Sequence, residues 1–178
     1  MLVTELPILD DILHAHAAAL GADHLAYRNH CYRVTNVCFA LCTEDRAQLD
    51  KIALAAAFHD LGIWTDGTLD YLEPSAQLAR ERLAGTQHAH WTPEVLEMIV
   101  QHHKLSRYSA HAEWLVEPFR RADLIDVSRG LVRFGLPREL VRDVYAQWPS
   151  AGFHKRLLTL GAERLRTHPL SPLPMLRL

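Results

Sequence analysis

Apolar residues recur every three to four positions along almost the whole chain, and this period constrains the fold more than any other feature. Leu6, Leu9 and Leu13 mark a first helix, extended by Ala17 and stopped near Gly21. A second runs from about Ala22 to Cys42, with Leu25, Tyr32, Val34, Val37, Cys38 and Leu41 as its inner face. A third opens at Glu44 and Asp45, whose charges suit a helix N-terminus, and ends on the pair His59–Asp60 with Gly62 as terminator. After the loop "WTDGTLDYLEPS", Pro74 suits the first turn of a helix reaching Gly85. Thr92, Pro93 and Glu94 read as the N-cap, first residue and first-turn acid of the next. "SRYSAHAEW" is a loop, "EPFRRADLIDVSRG" a helix stopped by Gly130, and two more helices open near Pro137 and Gly152. The tail "HPLSPLPMLRL" is proline-rich and expected to be extended. With no alternating strand pattern, hairpin turn or internal repeat, the expectation is one all-α domain over residues 1–178, a bundle of about seven to eight helices.

Composition narrows the function classes. The chain has 178 residues, 49% hydrophobic and 22% charged, enough for one substantial core. A net charge of -2 gives no electrostatic reason to expect a nucleic-acid polymer or a membrane surface as partner. The acidic start "MLVTELPILDDILHAH" lacks the basic region of a secretory signal, and no apolar run approaches the roughly 20 residues of a membrane span. Cys31, Cys38 and Cys42 are odd in number, contain no C-x-x-C pair and read as buried thiols, so a reducing cytoplasm is expected. Twelve histidines, scattered and not in a tract, stand out from this background.

Four of the polar residues occupy places where a hydrocarbon would serve a core better: His30, the adjacent His59 and Asp60, and Asp123. Burying an ionised carboxylate or an unpaired imidazole costs several kcal/mol without a compensating partner. A divalent metal ion offers that partner, since imidazole and carboxylate suit manganese, iron, cobalt, nickel and zinc alike. The alternatives are hydrogen-bonded scaffolding for each histidine and a helix cap for each aspartate. Spacing alone does not bring three helices together.

The order His30 in "HCYRV", His59–Asp60 in "FHDLG" and Asp123 in "ADLID" resembles the HD-domain superfamily of metal-dependent phosphohydrolases. The resemblance covers about Ala22 to Gly130, leaving the last helices and the tail, residues 131–178, outside it. It implies that His30, His59, Asp60 and Asp123 hold a metal ion and that Asp126 supports them. Dinuclear relatives carry further histidines between the HD pair and the last aspartate. Here His102 and His103 are candidates for one of these, and adjacent helical residues point about 100° apart, so one of the two is expected to face the site. The other histidine is missing from "DYLEPSAQLA", where Tyr71 and Glu73 stand, and His88 and His90 come too late, past Gly85. One ion is therefore expected, or a second held weakly by Glu73 and one histidine.

A bound ion would activate a water against a small phosphorylated substrate, with cations holding the phosphate. Arg33, three residues after His30, is one candidate, and Lys104, Arg107 and Arg121 are others. Glu73 and Asp66, close behind the HD pair, are candidates for proton transfer or for orienting water, while Asp70 suits a helix start and Trp64 and Tyr71 suit packing or stacking on substrate. The alternatives are a di-iron oxygenase of this fold, acting on an organophosphonate or polyol, and a non-catalytic metal- or ligand-binding module. Oligomeric state and substrate are not legible.

Overall fold

A computed structural model describes residues 2–42 and 46–176 of the chain. Ten α-helical segments appear among the described residues, eight of them nine residues or longer: α1 (Pro7–Ala15), α2 (Ala17–Leu20), α3 (His24–Leu41), α4 (Leu49–Phe58), α5 (Gly62–Thr65), α6 (Leu72–Leu83), α7 (Thr92–Gln101), α8 (Val116–Val127), α9 (Arg138–Gln147) and α10 (Phe153–Thr167). The described fold is an all-α bundle, and none of its helices is long and apolar enough to cross a membrane. The helix start expected at Glu44–Asp45 lies outside the described residues.

α3 and α4 form the centre. Every residue of α3 from Asn29 to Phe39 is buried, as befits a helix enclosed on all sides. Its polar side chains are satisfied inside the protein: Asn36 bonds both the N–H and the carbonyl of Val3, and Thr35 donates to the Cys31 carbonyl. In α4 the alanines at 53 and 55–57 are fully buried, and their small side chains let this helix lie close to α1, α3, α6 and α7. Leu25, expected on the inner face of α3, is instead exposed. It sits about 200° round the helix from the buried Tyr27.

Three boundaries differ from expectation. Thr92, read as an N-cap, is the first residue of α7, and its hydroxyl donates to the Ala89 carbonyl. The first helix is interrupted at His16. Gly62 does not terminate a helix but begins α5, and its Cβ position would lie 2.7 Å from the Tyr71 carbonyl oxygen and 3.0 Å from Ser75 Oγ. A glycine is required there by close approach, which lets the chain beyond the HD pair pack on the start of α6. The three cysteines are free thiols, Cys31 and Cys38 buried. A smaller apolar cluster, Ile63, Leu69, Tyr71 and Leu72, is completed by Met175 from the tail.

Candidate metal centre

α4 ends at Phe58, and the chain then tightens: the Leu61 N–H donates to the Phe58 carbonyl and the Ile63 N–H to the Asp60 carbonyl, three residues back in each case. This turn points both His59 and Asp60 at α3. Tyr27 pins it, donating to the Ala57 carbonyl at 3.0 Å and accepting from the Asp60 N–H at 3.2 Å. His30 and Asp123 approach from α3 and α8. The Nε2 atoms of His30 and His59 lie 2.9 Å apart. Asp60 Oδ2 is 3.6 and 3.5 Å from them, and Asp123 Oδ1 is 3.7 Å from each. All four side chains are buried.

Hydrogen bonds fix which ring nitrogens carry protons. His30 Nδ1 lies 2.6 Å from Asp126 Oδ2, and His59 Nδ1 lies 2.8 Å from the Ala56 carbonyl. Both partners only accept, so both Nδ1 atoms donate and both Nε2 atoms present lone pairs to each other. Two lone pairs 2.9 Å apart require a cation between them. Without a metal, that cation is a proton. Burial alone would drive His59 towards neutrality, but the charge of Asp60 and the Asp123 carboxylate outweigh it and push its pKa up to about 9. Burial holds His30 below the ordinary histidine value despite Asp126. Burial would also raise the Asp60 carboxyl, but His59 and His102 hold it well below the usual carboxylate range.

A second group adjoins the first. His102 uses the same local device as His59: its Nδ1 donates to the carbonyl three residues back, Ile99, at 2.6 Å. Its Nε2 therefore presents a lone pair, 3.3 Å from Asp60 Oδ1. His103 Nδ1 lies 3.5 Å from Asp123 Oδ2, and its Nε2 lies 2.8 Å from the Tyr71 hydroxyl. Both histidines thus reach the cluster, against the expectation of one. α7 ends at Gln101 with His102 as its C-cap, so the pair sits at the helix end, their ring centroids 4.0 Å apart. Asp60 Oδ1, His102 Nε2 and Asp123 Oδ1 are buried without hydrogen-bond partners.

The donor set fits one or more metal ions. His30, His59 and Asp60 form one group of donor atoms within 4.8 Å of one another, and Asp60, His102 and His103 form another. Ligands about 2.1 Å from a shared ion stand about 3.0–3.4 Å apart in octahedral or tetrahedral arrangements, near the spacings found here. α4 and α7 both end at this cluster, where their C-terminal partial negative charge favours a cation.

Other expected site residues lie elsewhere. Arg33 does not face the cluster's open side: it is fully buried and pairs with both oxygens of Asp126, at 2.6 and 2.9 Å, and with the Trp148 carbonyl. Glu73 is exposed beside Arg80, because α6 starts at Leu72 and its register turns Tyr71 inward and Glu73 outward. Asp66 is exposed and accepts from Thr65. Arg107 and Arg121 line a separate surface cavity with Tyr108 and Glu117, and Arg121 donates to Glu117. Of the expected cations, Lys104 lines the cavity that opens over Asp60, His102, His103 and Asp123. Sequence reasoning missed Arg120, which lines it too and is held by Glu117, and Phe153, stacked on the His30 ring with centroids 4.0 Å apart. Arg120 carries a local signal, standing three residues before Asp123 on α8, whereas Phe153 carries none, since it depends on α10 being brought in from afar.

Residues 27–133, more than half of the chain and including every ligand candidate above, match the HD domain family. Searches of curated proteins and of solved structures gave no match.

Proposed function

The chain belongs to the HD-domain family, and on that premise we propose that it is a metal-dependent hydrolase cleaving a phosphoester of a small molecule by attack of an activated water. The observation that carries this reading is the convergence of unpaired donors. Three imidazole Nε2 atoms with fixed lone pairs meet two carboxylates in a buried cluster, an arrangement with no use for a neutral interior. A divalent ion there would supply Lewis acidity, polarising a phosphoryl oxygen and acidifying a water.

The protein's own residues do the rest. Asp126, the Ala56 carbonyl and the Ile99 carbonyl hold three imidazoles in the tautomer that offers Nε2. Arg33 holds Asp126. Burial and the charge of Asp60 raise the Tyr71 hydroxyl well above its ordinary pKa, so it stays protonated and can donate to a phosphoryl oxygen. Lys104 supplies positive charge at the cavity wall.

The two oxygens of Asp60 divide between the groups, Oδ2 towards His30 and His59, Oδ1 towards His102. With donors in two groups, a second ion could be held beside the single one expected from sequence, and this keeps a di-iron oxygenase as the second reading. Elemental analysis of protein purified without added metal, followed by phosphate release from a phosphoester panel with manganese, cobalt or zinc restored, tests both. Turnover that vanishes in Asp60→Ala together with bound metal is expected. Metal-loaded, folded protein that releases phosphate from no ester refutes the hydrolase, and one ion per chain removes the oxygenase.

A further inference from the structure

Above its polar floor, the cavity of about 290 Å³ is walled by aliphatic carbon. Ile63, Leu69, Leu124, Val127, Leu157 and Met175 contribute most of that wall. Leu105, Leu173 and Leu176 continue it to the rim, where they remain 43–63% exposed. An apolar rim around one cavity marks a place where apolar matter binds. Positive charge sits at the other end: Lys104 follows His103 directly, and Arg120 donates to its carbonyl. Among the described lining residues there is no side-chain amide or hydroxyl other than Tyr71, and no phenylalanine or tryptophan. Little is present to read a sugar's hydroxyls or the edges of a base.

Resting on the hydrolase reading, we propose that the ligand is a phosphomonoester of an aliphatic alcohol, with its phosphate at the ion and its hydrocarbon in this cavity. With the phosphate at the polar floor, the rest of the space of about 290 Å³ is large enough for an alkyl chain of several carbons. In the reaction, water adds its oxygen to phosphorus, the ester P–O bond breaks, and the departing oxygen takes a proton from that water. The alcohol and inorganic phosphate result, with no co-reactant. Gly161 on α10 lines the cavity, and a Cβ there would meet nothing within 4 Å, so a larger side chain at this position has room to take up part of the space. Leu157, Gly161, Leu173, Met175 and Leu176 all follow residue 133, outside the family match.

The test compares manganese-loaded protein on n-alkyl phosphates from ethyl to dodecyl with a sugar phosphate and a nucleoside monophosphate, reading released phosphate. Calorimetry with the matching n-alkylphosphonates, which cannot be hydrolysed this way, measures binding alone. kcat/KM is expected to rise about threefold to fourfold per methylene until the cavity is full. Gly161→Leu is expected to keep the metal content and to cut the decyl-to-ethyl ratio at least tenfold. Phosphonate affinity that climbs with chain length while no ester is hydrolysed supports the cavity assignment and sinks the hydrolase reading. Phosphate release that is flat with chain length, or faster from the sugar or nucleoside ester, overturns the cavity assignment. A dimer closed through this face with no chain-length effect overturns it as well.

Discussion

Asp126→Asn separates what holds this protein together from what would tune a metal ion in the proposed site. Asp126 accepts three short bonds, from Arg33 Nε at 2.6 Å, Arg33 Nη2 at 2.9 Å and His30 Nδ1 at 2.6 Å. Burial opposes its ionisation, yet His30 and Arg33 hold its pKa far below the usual carboxylate range. The amide keeps the shape and removes the charge, leaving a fully buried guanidinium facing a neutral group. Breaking a buried pair in this way costs about 3–5 kcal/mol, or roughly 10 °C of Tm for a chain of this size. The amide nitrogen can also donate to His30 Nδ1, which moves the ring proton to Nε2 and blocks the lone pair offered to the ion. Loss of such a partner weakens metal binding about 10- to 100-fold. Urea unfolding followed by circular dichroism reads the first effect, and calorimetric titration with manganese reads the second. Adding Arg33→Met to Asp126→Asn is expected to recover part of the stability and none of the metal affinity. Wild-type affinity in folded Asp126→Asn would refute the tautomer argument, whatever the stability.

Two glycines make opposite predictions. Gly62→Ala, driven against the Tyr71 carbonyl at 2.7 Å, is expected to lower unfolding free energy by about 1–3 kcal/mol, whereas Gly161→Ala, in open space within a helix, should raise it by about 0.5–1 kcal/mol; denaturant midpoints decide both. The raised pKa of His59, about 9 against 6.5, means that metal-free protein holds this group's stabilisation fully below pH 6.5 and loses it as pH rises through 9. The loss is on the order of 3 kcal/mol and appears as a falling Tm in chelator. The same proton competes with the ion, so manganese affinity is expected to rise about tenfold per pH unit over that window, and a flat titration series would contradict it.

The convergence of His30, His59, Asp60 and Asp123 was legible because imidazole and carboxylate on apolar helices demand a partner wherever they fold. What surrounds them was less so, for physical reasons that differ from residue to residue. Whether Tyr71 or Glu73 turns inward depends on α6 starting at Leu72, a shift of one residue that no cap announces. Both His102 and His103 reach the cluster because two carboxylates from different elements receive them, Asp60 beside His102 and Asp123 beside His103, a placement that spacing within α7 does not show. Arg33 stands one turn from His30, as its spacing says, but its long side chain turns away from the cavity to partners more than ninety residues away in sequence. Gly62 was singled out for its lack of a side chain, and the reason lies in packing across the bundle, not in ending a helix.

The grip of α3 on the far end of the chain has a consequence for cutting the protein. Asn29 and Arg33 both donate to the Pro149 carbonyl and Arg33 to that of Trp148, while the Asp126 carbonyl accepts from Tyr145 and is 3.0 Å from His154 Nε2. Every one of these partners follows residue 133, where the family match stops. A fragment trimmed to 27–133 would lose these bonds, at about 0.5–1.5 kcal/mol each, together with α1 and its buried Leu9, Ile12 and Leu13, against a whole folding free energy of about 5–15 kcal/mol. It is expected to lack fixed tertiary structure by near-ultraviolet circular dichroism. The stretch by which this family is recognised is therefore shorter than the stretch that can stand alone, and any excised unit, swapped module or minimal scaffold drawn from it has to carry α9 and the start of α10 along.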